Sequence, residues 1–135
     1  MRREVRTYGV DEANRALPSV RRLVERIVAA SERLPDLEDA VGVARYRAAR
    51  TGAGQADAEA LVQAEDAIAA AESDLAAAAI ELQAMGIQLK DPRTGLVDFL
   101  TLRDGELVEL CWRLGEDSVA HWHRIGEGFA GRKPL

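Results

Sequence analysis

The chain has 135 residues, one cysteine and a formal net charge of −5, with an isoelectric point near 5.1. That length fits one domain around one core, and the acidic balance argues against a general nucleic-acid binder, which needs a basic surface to offset phosphate charge. A lone cysteine closes no intrachain disulfide, no apolar run approaches the ~20 residues that cross a bilayer, and the N-terminus lacks the apolar stretch of a secretory signal, so a soluble protein of the reducing cytoplasm is expected.

The N-terminal segment carries Arg2, Arg3, Arg6, Arg15, Arg21, Arg22 and Arg26 among Glu4, Asp11, Glu12 and Glu25, the mixed-sign pattern of a solvated helix face. Asp11 and Glu12 suit the positive end of a helix dipole, with Gly9 as a weak N-cap. Pro18 lacks a backbone donor and restricts Leu17, which predicts a short helix to about Ala16 and a second starting near Pro18. Val20, Leu23, Val24, Ile27, Ala30 and Leu34 form its apolar stripe, and Pro35 is expected to end it. Leu37, Ala40, Val41, Ala44 and Ala48 suggest a further helical segment before the break at Thr51-Gly52-Ala53-Gly54.

From Gln55 to Met85 the chain is rich in Ala and free of Gly and Pro. Leu61, Ile68, Leu75 and Leu82 recur every seven residues, and Ala64, Ala71, Ala78 and Met85 fill the complementary positions. Such a seam lets two helices approach closely at a shallow angle. It predicts an antiparallel helical hairpin over residues 1–85, and the helix length leaves room for a dimer seam as well.

After Gly86 the apolar period changes to two. Ile87–Lys90, Leu96–Leu102, Leu107–Leu114 and Ser118–Arg124 read as strands separated by turn residues, with Asp104-Gly105 the strongest tight-turn signal. The expected whole is one α+β domain: a helical hairpin packed on a small antiparallel β-meander formed by residues 86–135.

The only cysteine, both tryptophans and both histidines lie between Cys111 and His123. If Gly115-Glu116-Asp117 is the loop of the last hairpin, Cys111 faces His121 and Glu109 faces His123. One face then gathers a thiol, two imidazoles and carboxylates, with Glu116 nearby, a set that suits zinc or another divalent metal. If only Gly115-Glu116 turns, the register slips by one and the set is scattered. Without a metal, Cys111 is a small buried hydrophobe. As a nucleophile it would need a lowered pKa and a base, and no oxyanion device surrounds it.

Gly126-Glu127-Gly128-Phe129-Ala130-Gly131 spells G-x-G-x-x-G but does not follow the first strand of a βαβ unit. It reads as a C-terminal tail anchored by Phe129, with a possible anion contact near Arg132 and Lys133 as the alternative. Asp98, a carboxylate in an apolar strand, needs a partner if buried; Arg113 and Arg132 are the candidates for a salt bridge. Trp112 and Trp122 mark an interaction surface if they are exposed together.

Asp11-Glu12-Ala13-Asn14-Arg15-Ala16-Leu17-Pro18, Gly86-Ile87-Gln88-Leu89-Lys90-Asp91, Gly95-Leu96-Val97-Asp98-Phe99, Leu110-Cys111-Trp112-Arg113 with Gly115-Glu116, Trp122-His123 and Gly128-Phe129-Ala130-Gly131-Arg132 together resemble the bacterial domain-of-unknown-function family 2203. The resemblance spans nearly the whole chain and implies a small bacterial cytoplasmic protein; it carries no activity. Gly9 stands where the family pattern has Ser or Thr, and His121 is not part of that pattern. The leading expectation is a non-enzymatic interaction or structural domain that forms a homodimer through its helices or a sheet edge. The alternatives are a metal- or small-ligand-binding domain using Cys111, His123, Glu109 or Glu116 of the C-terminal cluster, with Asp98 and Arg132 nearby, and last a hydrolase or transferase.

Overall fold

A computed structural model describes residues 5–135, so Arg2, Arg3 and Glu4 lie outside the described residues. Two helices, α1 (Val10–Ala49) and α2 (Gln55–Ala84), are followed by β1 (Ile87–Asp91), β2 (Leu96–Arg103), β3 (Glu106–Arg113), β4 (His121–Arg124) and β5 (Lys133–Pro134). The strands form one antiparallel sheet in the order β1-β2-β3-β4-β5. The expected α+β architecture, a helical hairpin on a β-meander, is what the structure has.

One face of the sheet carries the core. Val97, Phe99, Leu110 and Trp112 are buried against Leu17, Val20, Val24 and Ile27 of α1 and Ala78 and Leu82 of α2. The heptad seam of α2 is the face turned inward: Leu61, Ala64, Ile68, Ala71, Leu75, Ala78 and Leu82 are all buried or half-buried, whereas most residues between them are exposed. Alternation along each strand then puts Asp98, Glu109, Cys111 and His123 on the opposite, outer face.

Two expectations are corrected. Neither Pro18 nor Pro35 breaks the chain; both lie inside α1, which runs without interruption for 40 residues. Both prolines are solvent-exposed, and each leaves the carbonyl four residues earlier, of Asn14 and of Ser31, without its helical N–H partner. A mid-helix proline costs about 3 kcal/mol, which burial of neighbours such as Leu17, Val20 and Val24 offsets at roughly 1.5–3 kcal/mol each. The second correction is at the C-terminus. Residues 118–120 are not strand, and β4 gains a short partner, β5, from the tail.

Two side devices tie the layers together. The Asn14 side chain accepts from the Val119 N–H at 2.8 Å and donates to the Val119 carbonyl at 3.2 Å, fixing the β3–β4 loop to α1. Tyr8 extends the edge of β2 beyond β1: its N–H donates to the Leu100 carbonyl at 2.7 Å, its hydroxyl to the Met85 carbonyl, and its ring meets Phe99 edge-on at 5.3 Å.

The β1–β2 turn is fixed by Gly95. Its φ is +74°, and a Cβ there would fall 2.7 Å from Val24 Cγ1 and 2.8 Å from Leu114 Cβ. Its N–H bonds the Asp91 carbonyl at 2.9 Å and its carbonyl accepts from Leu114 at 3.0 Å, so the backbone is held from both sides. Gly95→Ala is expected to lose about 2–5 kcal/mol, from left-handed strain plus overpacking. Urea unfolding measures it; a loss within about 0.5 kcal/mol would contradict this packing.

Candidate metal centre

The last hairpin adopts the register in which Glu109 faces His123, Leu110 faces Trp122 and Cys111 faces His121. Asp98 of β2 is the partner of Cys111 across the next strand pair. Three adjacent strands therefore deliver Asp98, Cys111 and His123 to one point on the outer face. All three are buried, and one ligand-type atom from each lies within 4.8 Å of the other two.

The hydrogen bonds define the chemistry of this cluster. His123 Nδ1 is 2.8 Å from the Arg124 carbonyl oxygen. A carbonyl only accepts, so Nδ1 carries the proton. In a neutral ring Nε2 then presents a lone pair, and it faces Asp98 Oδ1 at 3.1 Å. A lone pair and a carboxylate oxygen at that distance require a proton or a cation between them. Fixing one ring nitrogen on a carbonyl and aiming the other at the site is also how metal-binding histidines are oriented.

Cys111 is pushed up to about 12, first by burial and then by the charge and hydrogen bond of Asp98. Its thiol is protonated at neutral pH, and Asp98 accepts from it. Glu109, next to the cluster on the same face, is raised by burial and by the nearby Asp98 charge, against the pull of Lys90 and His123. A small cleft of about 170 Å³ reaches Asp98, Glu109 and His123 between Lys90, Leu96 and the tail residues Gly126, Gly128 and Phe129.

The other expected residues separate from this point. Glu116 and His121 belong to a second cluster around Arg132, whose guanidinium donates to Glu116 Oε2 and to His121 Nδ1. Because a guanidinium only donates, His121 Nδ1 is the acceptor there. Glu116 is lowered: burial alone would raise it, but the hydrogen bonds from Arg132 and the Arg113 N–H and the Arg132 charge prevail. The Arg113 N–H to Glu116 bond is 2.7 Å, so this cluster closes the β3–β4 loop and ties it to the tail.

Asp98 does not pair with Arg113 or Arg132, as the sequence suggested. Both guanidiniums instead lie over the Phe129 ring, at 4.6 and 4.5 Å from its centroid. Arg113 sits opposite Leu96 at the strand end, too far along β3 to be the nearest partner of Asp98, and Cys111 and His123 take that place. The tryptophans are not exposed together. Trp112 is fully buried in the core, its Nε1–H donating to the Glu116 carbonyl at 3.0 Å. Trp122 is half-buried, with Arg103 at 4.5 Å and Lys133 at 4.9 Å from its ring. Gly126–Gly131 forms a turn and a single 3-10 turn, Phe129–Gly131, after β4 rather than a nucleotide loop.

Sequence reasoning placed Cys111, His123 and Glu109 together with Asp98 nearby, but gave Asp98 an arginine partner rather than a place among the ligand atoms. The signal was its position: Asp98 is the only charged residue between Leu96 and Leu102, on the outward phase of the alternation.

None of the described helices is long and apolar enough to cross a membrane. No curated protein and no solved structure matches the chain. One family model does, that of the uncharacterized conserved protein DUF2203, over residues 6–135; the chain belongs to this family.

Proposed function

We propose that this domain binds one divalent transition metal, zinc by the chemistry of its ligands, through Asp98, Cys111 and His123. The observation that carries the reading is the convergence of carboxylate, thiol and imidazole within 4.8 Å on three neighbouring strands. A thiolate, an imidazole and a carboxylate form a set that suits zinc. Glu109, beside His123 in register, is the side chain closest to hand for a fourth position, and the cleft beside it offers a route for the ion. Cys111 serves as a ligand rather than a nucleophile, since it is fully buried and holds its proton tightly.

Titration of metal-free protein with zinc should give one site per chain, and zinc at a hundred times its dissociation constant should stabilise the fold by about 2.7 kcal/mol. Asp98→Asn, Cys111→Ser and His123→Gln keep the side-chain volumes and should each weaken binding by about a hundredfold or more, at or beyond the upper end of outer-shell changes. Protein that binds no zinc in calorimetry and contains none by elemental analysis would leave the cluster as a hydrogen-bonded strut and end this reading.

A second reading, a self-associating interaction domain, is favoured by a different observation. The helical hairpin extends past the sheet and leaves apolar side chains on its far half exposed.

A further inference from the structure

Beyond Pro35, α1 and α2 continue as a two-helix arm of roughly 20 Å at 1.5 Å per residue. The sheet core does not reach it; the cluster packed on the sheet draws on α1 no further than Val28 and on α2 no earlier than Leu75. Within the arm only Val41 and Ala44 of α1, and Ala71 of α2 at its base, are buried. The larger seam residues Leu37, Leu61 and Ile68 remain half-exposed, because two helices alone cover only one side of each. On the outside, Val43, Tyr46 and Val62 are 50%, 71% and 58% exposed. A shallow groove of about 420 Å³ runs between the helices, floored by Ala40, Val43, Ala44, Ala60 and Ala64.

Charge along the arm indicates what fits this face. α2 holds seven carboxylates and no Lys or Arg. α1 gathers Asp36, Glu38 and Asp39 at the base of the arm, then has no carboxylate from Ala40 to its end. Arg45, Arg47 and Arg50 stand at the tip, all exposed, and none is in an ion pair among the described residues. The base of the arm is therefore acidic, with Glu65 and Asp66 of α2 beside the α1 carboxylates, while at the tip the three arginines outnumber Asp57 and Glu59 of α2 and leave a small positive excess.

We infer that the arm pairs with a second copy of itself, antiparallel, to form a four-helix bundle. A twofold axis across the arm sets the tip cations of each copy against the acidic base of the other and covers the half-exposed seam residues of both. Parallel pairing would instead align like charges. The inference rests on the reading of the domain as self-associating; it does not depend on the metal centre, which lies on the far side of the sheet from the helices.

Charge exchange tests it. The intact wild-type chain is expected to sediment as a dimer at micromolar concentration. Arg45→Glu with Arg47→Glu, and separately Glu65→Lys with Asp66→Lys, should each raise the dimer dissociation constant more than about tenfold, because like charges then meet at both ends of the interface. Mixing the two variants should restore a heterodimer of wild-type affinity, and circular dichroism should show each variant still helical. If the wild type is dimeric but neither variant dissociates, the arm is not the interface although the domain self-associates. If the wild type stays monomeric at tens of micromolar, both the arm pairing and the self-association reading are overturned.

Discussion

Between pH 6 and pH 8, zinc affinity should rise at least tenfold per pH unit, about a hundredfold in all. The cause is Cys111. Burial, then the neighbouring Asp98, pushes its thiol up to about 12, so the metal-free protein holds the thiol proton throughout this range. Zinc takes a thiolate and must expel that proton, and each proton released adds one power of ten per pH unit to the apparent affinity. Calorimetric titration across the range, corrected for buffer ionisation, reads both the slope and the proton count. A flat profile would mean that Cys111 is not a ligand.

The same thiol sets the alkaline limit of the metal-free fold. In the unfolded chain Cys111 titrates near its ordinary value of 9.0, and in the folded chain near 12. The folded state therefore holds the proton more tightly. The stability linked to this group is fully present below pH 9, is lost progressively as the pH rises from 9 towards 12, and amounts to a few kcal/mol, at roughly 1.4 kcal/mol per pH unit. Tyr8, raised chiefly by burial, acts in the same direction. Denaturant unfolding from pH 8 to pH 11 should show the wild type losing stability with a slope that Cys111→Ala reduces, leaving the part due to Tyr8. An identical slope in both proteins would place the thiol in contact with solvent, against its burial.

Much of the framework was legible because it is written in periods. The seven-residue spacing of Leu61, Ile68, Leu75 and Leu82 marks the inward face of α2 however the helix is packed, and the switch to alternation after Gly86 marks the sheet. The prolines misled because their cost is local while their compensation is not: Leu17 and Val20 bury against residues more than fifty positions away, which no local rule registers. The register of the last hairpin was open for a similar reason. It is set by the loop from Leu114 to Ala120, where Asn14 grips Val119 from another element, rather than by a short turn of fixed type.

The candidate centre was half legible. Cross-strand pairing brings Glu109 to His123, but the side chain that bonds the His123 ring is Asp98, two strands away, across the middle strand that carries Cys111. A reading by nearest neighbours in a single hairpin misses such a diagonal. It also assigned Asp98 to Arg113 and Arg132 by charge alone, whereas the Phe129 ring of the tail takes both guanidiniums and Glu116 of the β3–β4 loop pairs with Arg132.

Cobalt(II) titration of the metal-free protein tests the proposed centre most directly, since a thiolate bound to cobalt gives a near-ultraviolet charge-transfer band that carboxylates and imidazoles alone do not. The wild type should develop this band to saturation at one ion per chain, and zinc should displace it. Cys111→Ser should lose the band, while Glu116→Gln and His121→Gln, in the cluster around Arg132, should keep it. A wild-type protein without the band, or a band that survives Cys111→Ser, would contradict a metal held by Asp98, Cys111 and His123.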